Sequence, residues 1–429
     1  MHLELDELDR EGLLVDLDDK QAEALAASRL LEVRAERRGW RLTPRGLVGS
    51  TRVDDIQVDV RPKQRVGLGR VLFVLGYARD PGFNPGLVAA AEDEDLWPAL
   101  AESLARLART ALAPGVLQGY RTVDEALRTV RGRIRIGDQL ARRPGQLLPI
   151  EVTYDEFTAD IAENQVLRTA LRRMLAVPRL SDGARAALGH LDGQLAGVTV
   201  LSPGSALPLW RESRLNARYV PALRLAELVL RTLSAETGPG RYGMASFAVD
   251  MATVFEQFVE TALREALAAY PGRTVGQYGT RLDVPDGSGE VGIPMKVDVV
   301  HLVHDRPHLV FDAKYKAASL FGAYPNADHY QMLAYCTALQ VPTAWLVYAD
   351  SGLPRTRRVV NTAVSIVEHP IDLRQSPASL LATVDALASH ACSLAGLQPD
   401  TMQRATSQAH NGSRWRFNRA LVVDTTGRL

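Results

Sequence analysis

Apolar positions along the chain change their spacing several times, and each change predicts an element. Within residues 44–63 the run Leu47-Val48 and the period-two set Ile56-Val58-Val60 predict strands, with Asp54-Asp55 supplying turn chemistry between them. Leu68, Val71, Leu72, Leu75 and Gly76 share one face of a helix over about 68–79. Pro81 and Pro85 mark a loop, and Pro98 opens a helix that Pro114-Gly115 ends. Short strand-like runs over 132–152 precede helices at about 160–176, 181–195 and 217–234. Gly238-Pro239-Gly240 then reads as a linker.

Beyond the linker the order becomes helix, strands, helix, strand, which is that of a mixed α/β domain. A helix over 249–270 stops at Pro271-Gly272, and strands follow at 274–283, 295–303 and 307–314. A helix at 326–339, strands at 342–349 and 357–367, and a helix capped by Ser376 with Pro377 at its first position complete the series. The expected organisation is a β-rich region over 1–120, a mainly helical region over 121–240, and an α/β domain over 241–429 with a basic tail.

Composition narrows the class. With 429 residues, 46% of them apolar, the chain is long enough for two or three soluble domains at ~100–200 residues each. No run approaches the ~18–20 uncharged apolar residues of a membrane span, and the N terminus lacks the basic and apolar regions of a secretory signal. The expectation is therefore a cytoplasmic protein with Cys336 and Cys392 as reduced thiols, too few for a zinc or iron–sulfur site. Eight acidic residues among the first 20 read as a solvated face. Fifty basic residues balance fifty acidic ones, so any grip on nucleic acid must be a local patch or shared with a partner. Only five of the basic residues are lysines, and three of those (Lys296, Lys314 and Lys316) crowd into one short stretch.

That stretch, MKVDVVHLVHDRPHLVFDAKYK, carries the chemistry. Asp298 sits in one strand-like run; Asp312 and Lys314 sit two apart in the next, so both point to one face. Carboxylates in apolar strands are costly unless paired or bound to a metal. Two of them on adjacent strands suit Mg²⁺, with Mn²⁺ as the alternative, in phosphodiester hydrolysis, and a neighbouring lysine can orient water or neutralise charge. Glu256 borders the buried stripe of the preceding helix, and Gln331 and Tyr335 share a face of the following one. A salt bridge of Asp298 with Lys314, and a solvated Glu256, are the plain alternatives. His301, His304 and His308 are read as incidental surface residues rather than metal ligands. Trp40, Trp210 and Trp345 are read as core. No GxxxxGK[ST] loop is found, so nucleotide hydrolysis is not expected of this chain.

Glu on a helix, Asp on a strand, DxK on the next strand and QxxxY on the following helix is the order of the PD-(D/E)xK nuclease core, in its RecB-like branch. Val297 replaces the Pro of that signature. More specifically, the chain resembles the McrC family, nuclease subunits of McrBC modification-dependent restriction systems. The matching pieces are GLVGSTRVDDIQVDVRPK, RGRIRI, FTADIAENQVLRTAL, VFEQFVE, KVDVV, VFDAKYK and DHYQMLAY, in that order; residues 1–35 and those beyond 400 are not covered. The resemblance implies an N-terminal part that docks on an McrB-like AAA+ GTPase hexamer and stimulates it, and a C-terminal part that cuts double-stranded DNA carrying modified cytosine. It implies Asp298, Asp312, Lys314, Glu256 and Gln331 as catalytic residues, with Asp298, Asp312 and Glu256 on the metal. A regulatory activator with an unused nuclease centre, and a stand-alone structure-specific nuclease, are the competing readings.

Overall fold

The two central strands of the N-terminal part, at 48–53 and 56–61, are buried along almost their whole length. In the computed structural model, β1 (His2–Asp6), β2 (Leu13–Val15), α1 (Asp19–Ala27), β3 (Leu31–Glu36), β4 (Gly39–Pro44), β5 (Val48–Val53) and β6 (Ile56–Arg61) follow in order. The structure describes residues 1–62, 66–79, 81, 96–236, 244–283, 292–315 and 326–400. The Gly238–Gly240 linker, Lys316 and the basic tail lie outside them. The acidic N terminus is part strand: β1 lies parallel to β6 and buries Leu5, while its acidic residues at alternate positions face outward. α1 begins at a full capping box, with Asp18 accepting from Gln21 N and the Gln21 side chain returning to Asp18 N.

Next come α2 (Leu68–Arg79), α3 (Leu96–Leu112), β7 (Gly119–Leu127), β8 (Arg133–Ile134), α4 (Ile136–Arg142), β9 (Ile150–Thr158), α5 (Ala162–Leu175), α6 (Asp182–Gln194), α7 (Val220–Thr232), β10 (Leu233–Glu236) and β11 (Met244–Val249). The remaining elements are α8 (Met251–Leu267), β12 (Arg273–Arg281), β13 (Pro294–Val303), β14 (Arg306–Lys314), α9 (Asn326–Leu339), β15 (Thr343–Tyr348), β16 (Arg355–Arg358), β17 (Ser365–Pro370) and α10 (Pro377–Leu394).

Two compact units result, and their limits differ from the expected three regions. The first holds residues 1–63, 67–69 and 86–249; the second holds 64–66, 70–85 and everything from Asp250. The cause is pairing. β11 lies antiparallel to β5, with Phe247 opposite Ser50, so the chain returns to the first sheet, ordered β1-β6-β5-β11-β10. Gly49 permits this approach, because a side chain there would collide with the Phe247 carbonyl oxygen. A buried polar chain fixes the same sheet: Asp59 accepts from Ser50 Oγ (2.5 Å), and Ser50 Oγ accepts from Trp97 Nε1 (3.1 Å). The region over 121–240 is not simply helical either, since β7, β9 and β8 form a three-stranded sheet within it.

The second unit is a three-layer sandwich. Its sheet runs β12-β13-β14-β15-β17-β16. β14, β15 and β17 are parallel, and the outer strands pair antiparallel. Val300, Val310 and Leu346 pack with Met332, Tyr335 and Cys336 of α9 on one face. Phe311 and Trp345, one position along their strands, point the other way; Trp345 meets His390 of α10 edge-on at 5.1 Å. α8 and α2 join this unit through Phe258, whose ring lies 6.3 Å from Phe73 and 5.6 Å from Tyr77. The segment read as one strand over 357–367 is two, β16 and β17, turning at Asn361 with φ +60°. Trp345 is fully buried as expected, whereas Trp40 and Trp210 are half-buried, Trp210 donating to Glu227.

Candidate active site

β13 is Val-rich and β14 carries the apolar run Leu309-Val310-Phe311; they form a hairpin because the turn between them, His304-Asp305, takes left-handed backbone at both positions (φ +50° and +59°), as a tight two-residue hairpin requires. Val299 pairs with Phe311 and Val300 with Val310. The next position in that antiparallel register sets Asp298 across from Asp312, on the face that α9 covers. Lys314 follows two residues later on the same face.

Both carboxylates are buried: Asp298 is 9% exposed and Asp312 1%. Asp298 Oδ2 accepts from the Ala313 backbone N–H at 2.9 Å, and Oδ1 accepts from Gln277 Nε2 at 3.4 Å. Lys314 Nζ lies 2.6 Å from Asp312 Oδ2. The two form an ion pair that lowers the cost of burying Asp312. Burial, and then the charge of Asp298, push the Asp312 carboxyl up to about 7 against the pull of Lys314. Burial draws the Lys314 ammonium down, but Asp312, Asp298 and Asp328 together hold it above the ordinary lysine value. The site thus gathers buried carboxylates around Lys314.

Glu256, on α8, is raised by burial and then by Asp298, so it belongs to the same electrostatic neighbourhood. Among the described residues no three His, Cys, Asp or Glu side chains gather closely enough to cage a metal ion. Gln331 Nε2 donates to Tyr335 Oη at 2.7 Å, and Tyr335 Oη donates to the Lys296 carbonyl at 2.7 Å. These two side chains tie α9 to the start of β13, and the Gln331 amide is spent on Tyr335. His301 is buried rather than superficial: its ring joins Thr274 Oγ1 and the Pro271 carbonyl, each at 3.0 Å, and burial holds it neutral below the usual histidine value.

Two groups escaped the sequence reading. Asp328, at the start of α9, is 3% exposed, accepts from Tyr348 Oη at 3.3 Å, and acts on both Asp312 and Lys314. Glu368 lies on the same sheet row as Asp312, one strand beyond Leu346, and holds His329 Nε2 at 2.7 Å together with Arg357. The adjacent Asp328-His329 pair and the alternation of β17 were visible, but nothing in the sequence placed them on the face of Asp312.

In the first unit the sheet of β7, β9 and β8 with α4 exposes apolar side chains. Tyr120 and Phe157 face each other across β7 and β9, their rings 5.2 Å apart and 77% and 57% exposed. Ile136, Leu140 and Leu147 are exposed nearby along the chain. Exposed large apolar groups in this number mark an interaction surface.

Residues 42–349 match the family model described as McrBC 5-methylcytosine restriction system component. A solved structure, a refined half-complex from a tetradecameric assembly of Thermococcus gammatolerans McrB AAA+ hexamers with bound McrC, contains a chain of the same fold (TM-score 0.59, 17% identity, 91% of this chain and 100% of that one). A chain from the cryo-EM structure of the Thermococcus gammatolerans McrBC complex aligns more loosely (TM-score 0.37, 20% identity, 63% and 90% coverage). No curated protein matches the chain.

Proposed function

The chain belongs to the McrBC family of 5-methylcytosine restriction system components, and from that premise we propose that it is the Mg²⁺-dependent, DNA-cleaving subunit of a modification-dependent restriction system. The observation that carries this reading is the buried pair Asp298 and Asp312, set across one sheet row with Lys314 Nζ 2.6 Å from Asp312.

The donor set suits Mg²⁺, which keeps several waters and is held by one or two carboxylates plus substrate phosphate. The raised Asp312 carboxyl, buried beside Asp298 with Lys314 as its ion-pair partner, marks a concentration of negative charge that a cation would relieve. Asp298 and Asp312 would hold the metal, and Glu256, which feels the Asp298 charge, would add to the negative field around it. When bound, the cation neutralises charge on the scissile phosphate and makes water more acidic. The Ala313 N–H fixes one oxygen of Asp298, so that carboxylate is oriented before substrate arrives. Lys314 presents a positive charge on a flexible stem to the attacking water or a phosphate oxygen. Tyr335 and Gln331 hold the Lys296 end of β13 in place.

Docking on an AAA+ GTPase hexamer, and stimulation of it, fit the first unit, where the exposed Tyr120–Phe157 pair and its apolar neighbours offer a surface. The motor delivers double-stranded DNA, which accounts for a nuclease whose own net charge is zero. The test is cleavage of 5-methylcytosine-containing and unmodified plasmid, in Mg²⁺, with and without an McrB-like AAA+ partner from the same source. Cleavage of the modified plasmid that needs both proteins and disappears in Asp312→Ala is expected. Full motor stimulation with no cleavage of any DNA would make the chain a regulatory activator instead.

A further inference from the structure

We propose that Gln277 is a positioning residue for Asp298, built into the sheet by a left-handed residue in the middle of a strand; the proposal rests on the nuclease reading of the site. Eight described non-glycine residues have positive φ, and seven of them lie in turns or bends. Gln277, at φ +52°, is the one inside a strand. Side chains other than Gly, Asn and Asp rarely adopt this conformation, because Cβ crowds the following carbonyl. Such an outlier persists where its surroundings impose it, and functional sites are where it concentrates.

Its position is specific. The β12–β13 ladder pairs Gly276 with Val299 and Tyr278 with Val297, stepping over Gln277, whose place in the register is opposite Asp298. β12 is an edge strand, so tilting one peptide disturbs a single ladder. Gln277 Nε2 comes to 3.4 Å from Asp298 Oδ1, while the other oxygen of that carboxylate is held by Ala313 N at 2.9 Å. Each oxygen of Asp298 therefore has its own donor, and the carboxylate plane is set relative to Asp312. A neutral amide does this without cancelling the charge that a cation needs; a lysine or arginine at 277 would cancel it. The residue is itself exposed, so burial does not account for its conformation.

Two substitutions separate this role from a merely structural one. Gln277→Gly removes the amide and relieves the backbone, since glycine takes positive φ freely. Gln277→Met keeps the length and the backbone conformation but cannot donate. The full-length chain with its AAA+ motor, GTP, 5-methylcytosine plasmid and Mg²⁺ gives single-turnover cleavage rates; the chain alone gives the rise of melting temperature with Mg²⁺. Both variants should cleave roughly 10–100-fold more slowly, the usual effect of removing a group that orients a metal ligand. Both should need several-fold more Mg²⁺ for half of the melting-temperature rise. Without metal, Gln277→Gly should melt no lower than the native chain. A native rate and a native Mg²⁺ dependence in either variant overturn the proposal. So does a Gln277→Gly chain that loses activity only in proportion to lost folding. Asp312→Ala runs alongside: if it still cleaves, the nuclease reading itself has failed, whatever Gln277 does.

Discussion

Replacing Asp312 by Asn keeps the size of the side chain and removes its titration, and the structure fixes what should follow. In the metal-free chain, burial and the Asp298 charge raise the Asp312 carboxyl from 3.8 to about 7. The folded state therefore binds the proton more tightly than the unfolded state. Stability from this group is complete below pH ~4, declines as pH rises towards about 7, and is level above that. At ~1.4 kcal/mol per pH unit the whole descent is on the order of 4 kcal/mol, and the part above pH ~5 on the order of 2–3 kcal/mol. Solvent screening takes little from this, because the side chain is 1% exposed. For a unit of this size 1 kcal/mol moves the melting temperature by about 2–4 °C, so roughly 5–10 °C separates pH 5 from pH 8 through this carboxyl alone. Calorimetry in chelator should show that difference in the native chain and its loss in Asp312→Asn. Added Mg²⁺ should restore the native chain at pH 8 and leave the variant unmoved. Parallel pH profiles for the two proteins would refute the assignment of Asp312 as the strained carboxylate of the site.

Asp298→Ala and Asp312→Ala should each abolish cleavage while motor GTPase stimulation stays native, as measured by phosphate release; loss of stimulation in a folded variant contradicts the division of roles. Lys314→Arg should be nearly as slow as Lys314→Ala, roughly 10²–10³-fold below native in single-turnover cleavage, because a planar fork cannot replace a point charge here. A Lys314→Arg rate within a few-fold of native would reduce the lysine to a salt-bridge partner. The double change Tyr120→Ser with Phe157→Ser should weaken stimulation of the motor at limiting chain while leaving the fold's circular dichroism unchanged; equal stimulation at every concentration would move the docking surface elsewhere.

The parts of the site that neighbour one another in sequence were legible. Asp312 and Lys314 announce themselves as polar residues at period two in an apolar strand, and α9 was read at 326–339, its observed span. What could not be read depends on register between distant segments. Gln277 matters because β12 brings it opposite Asp298, and Asp328 because the first turn of α9 lies over β14; neither carries a local mark. The β7–β9 sheet was hidden for another reason. In β7 exposure does alternate, but Tyr120 takes an exposed position and Arg121 a half-buried one, so the hydrophobic pattern does not follow the burial. β11 was not read as a strand, and its residues fell within the expected 241–429 domain, because its pairing with β5 spans almost two hundred residues of sequence.

The place of α2 has a consequence for how the molecule is made. Its Phe73 and Tyr77 settle against Phe258, and the Ala78 carbonyl accepts from Thr261 Oγ1, a bond across 183 positions. At ~5–20 residues per second the ribosome needs roughly 10–40 s to supply that partner. For this interval an apolar helix has left the exit tunnel with its binding face bare, making it a natural client for a chaperone. A fragment starting at Asp250 would in turn present the vacated groove on α8 to solvent. The second unit should therefore be more soluble when the N-terminal part is translated first in cis, or when α2 is supplied as a separate peptide.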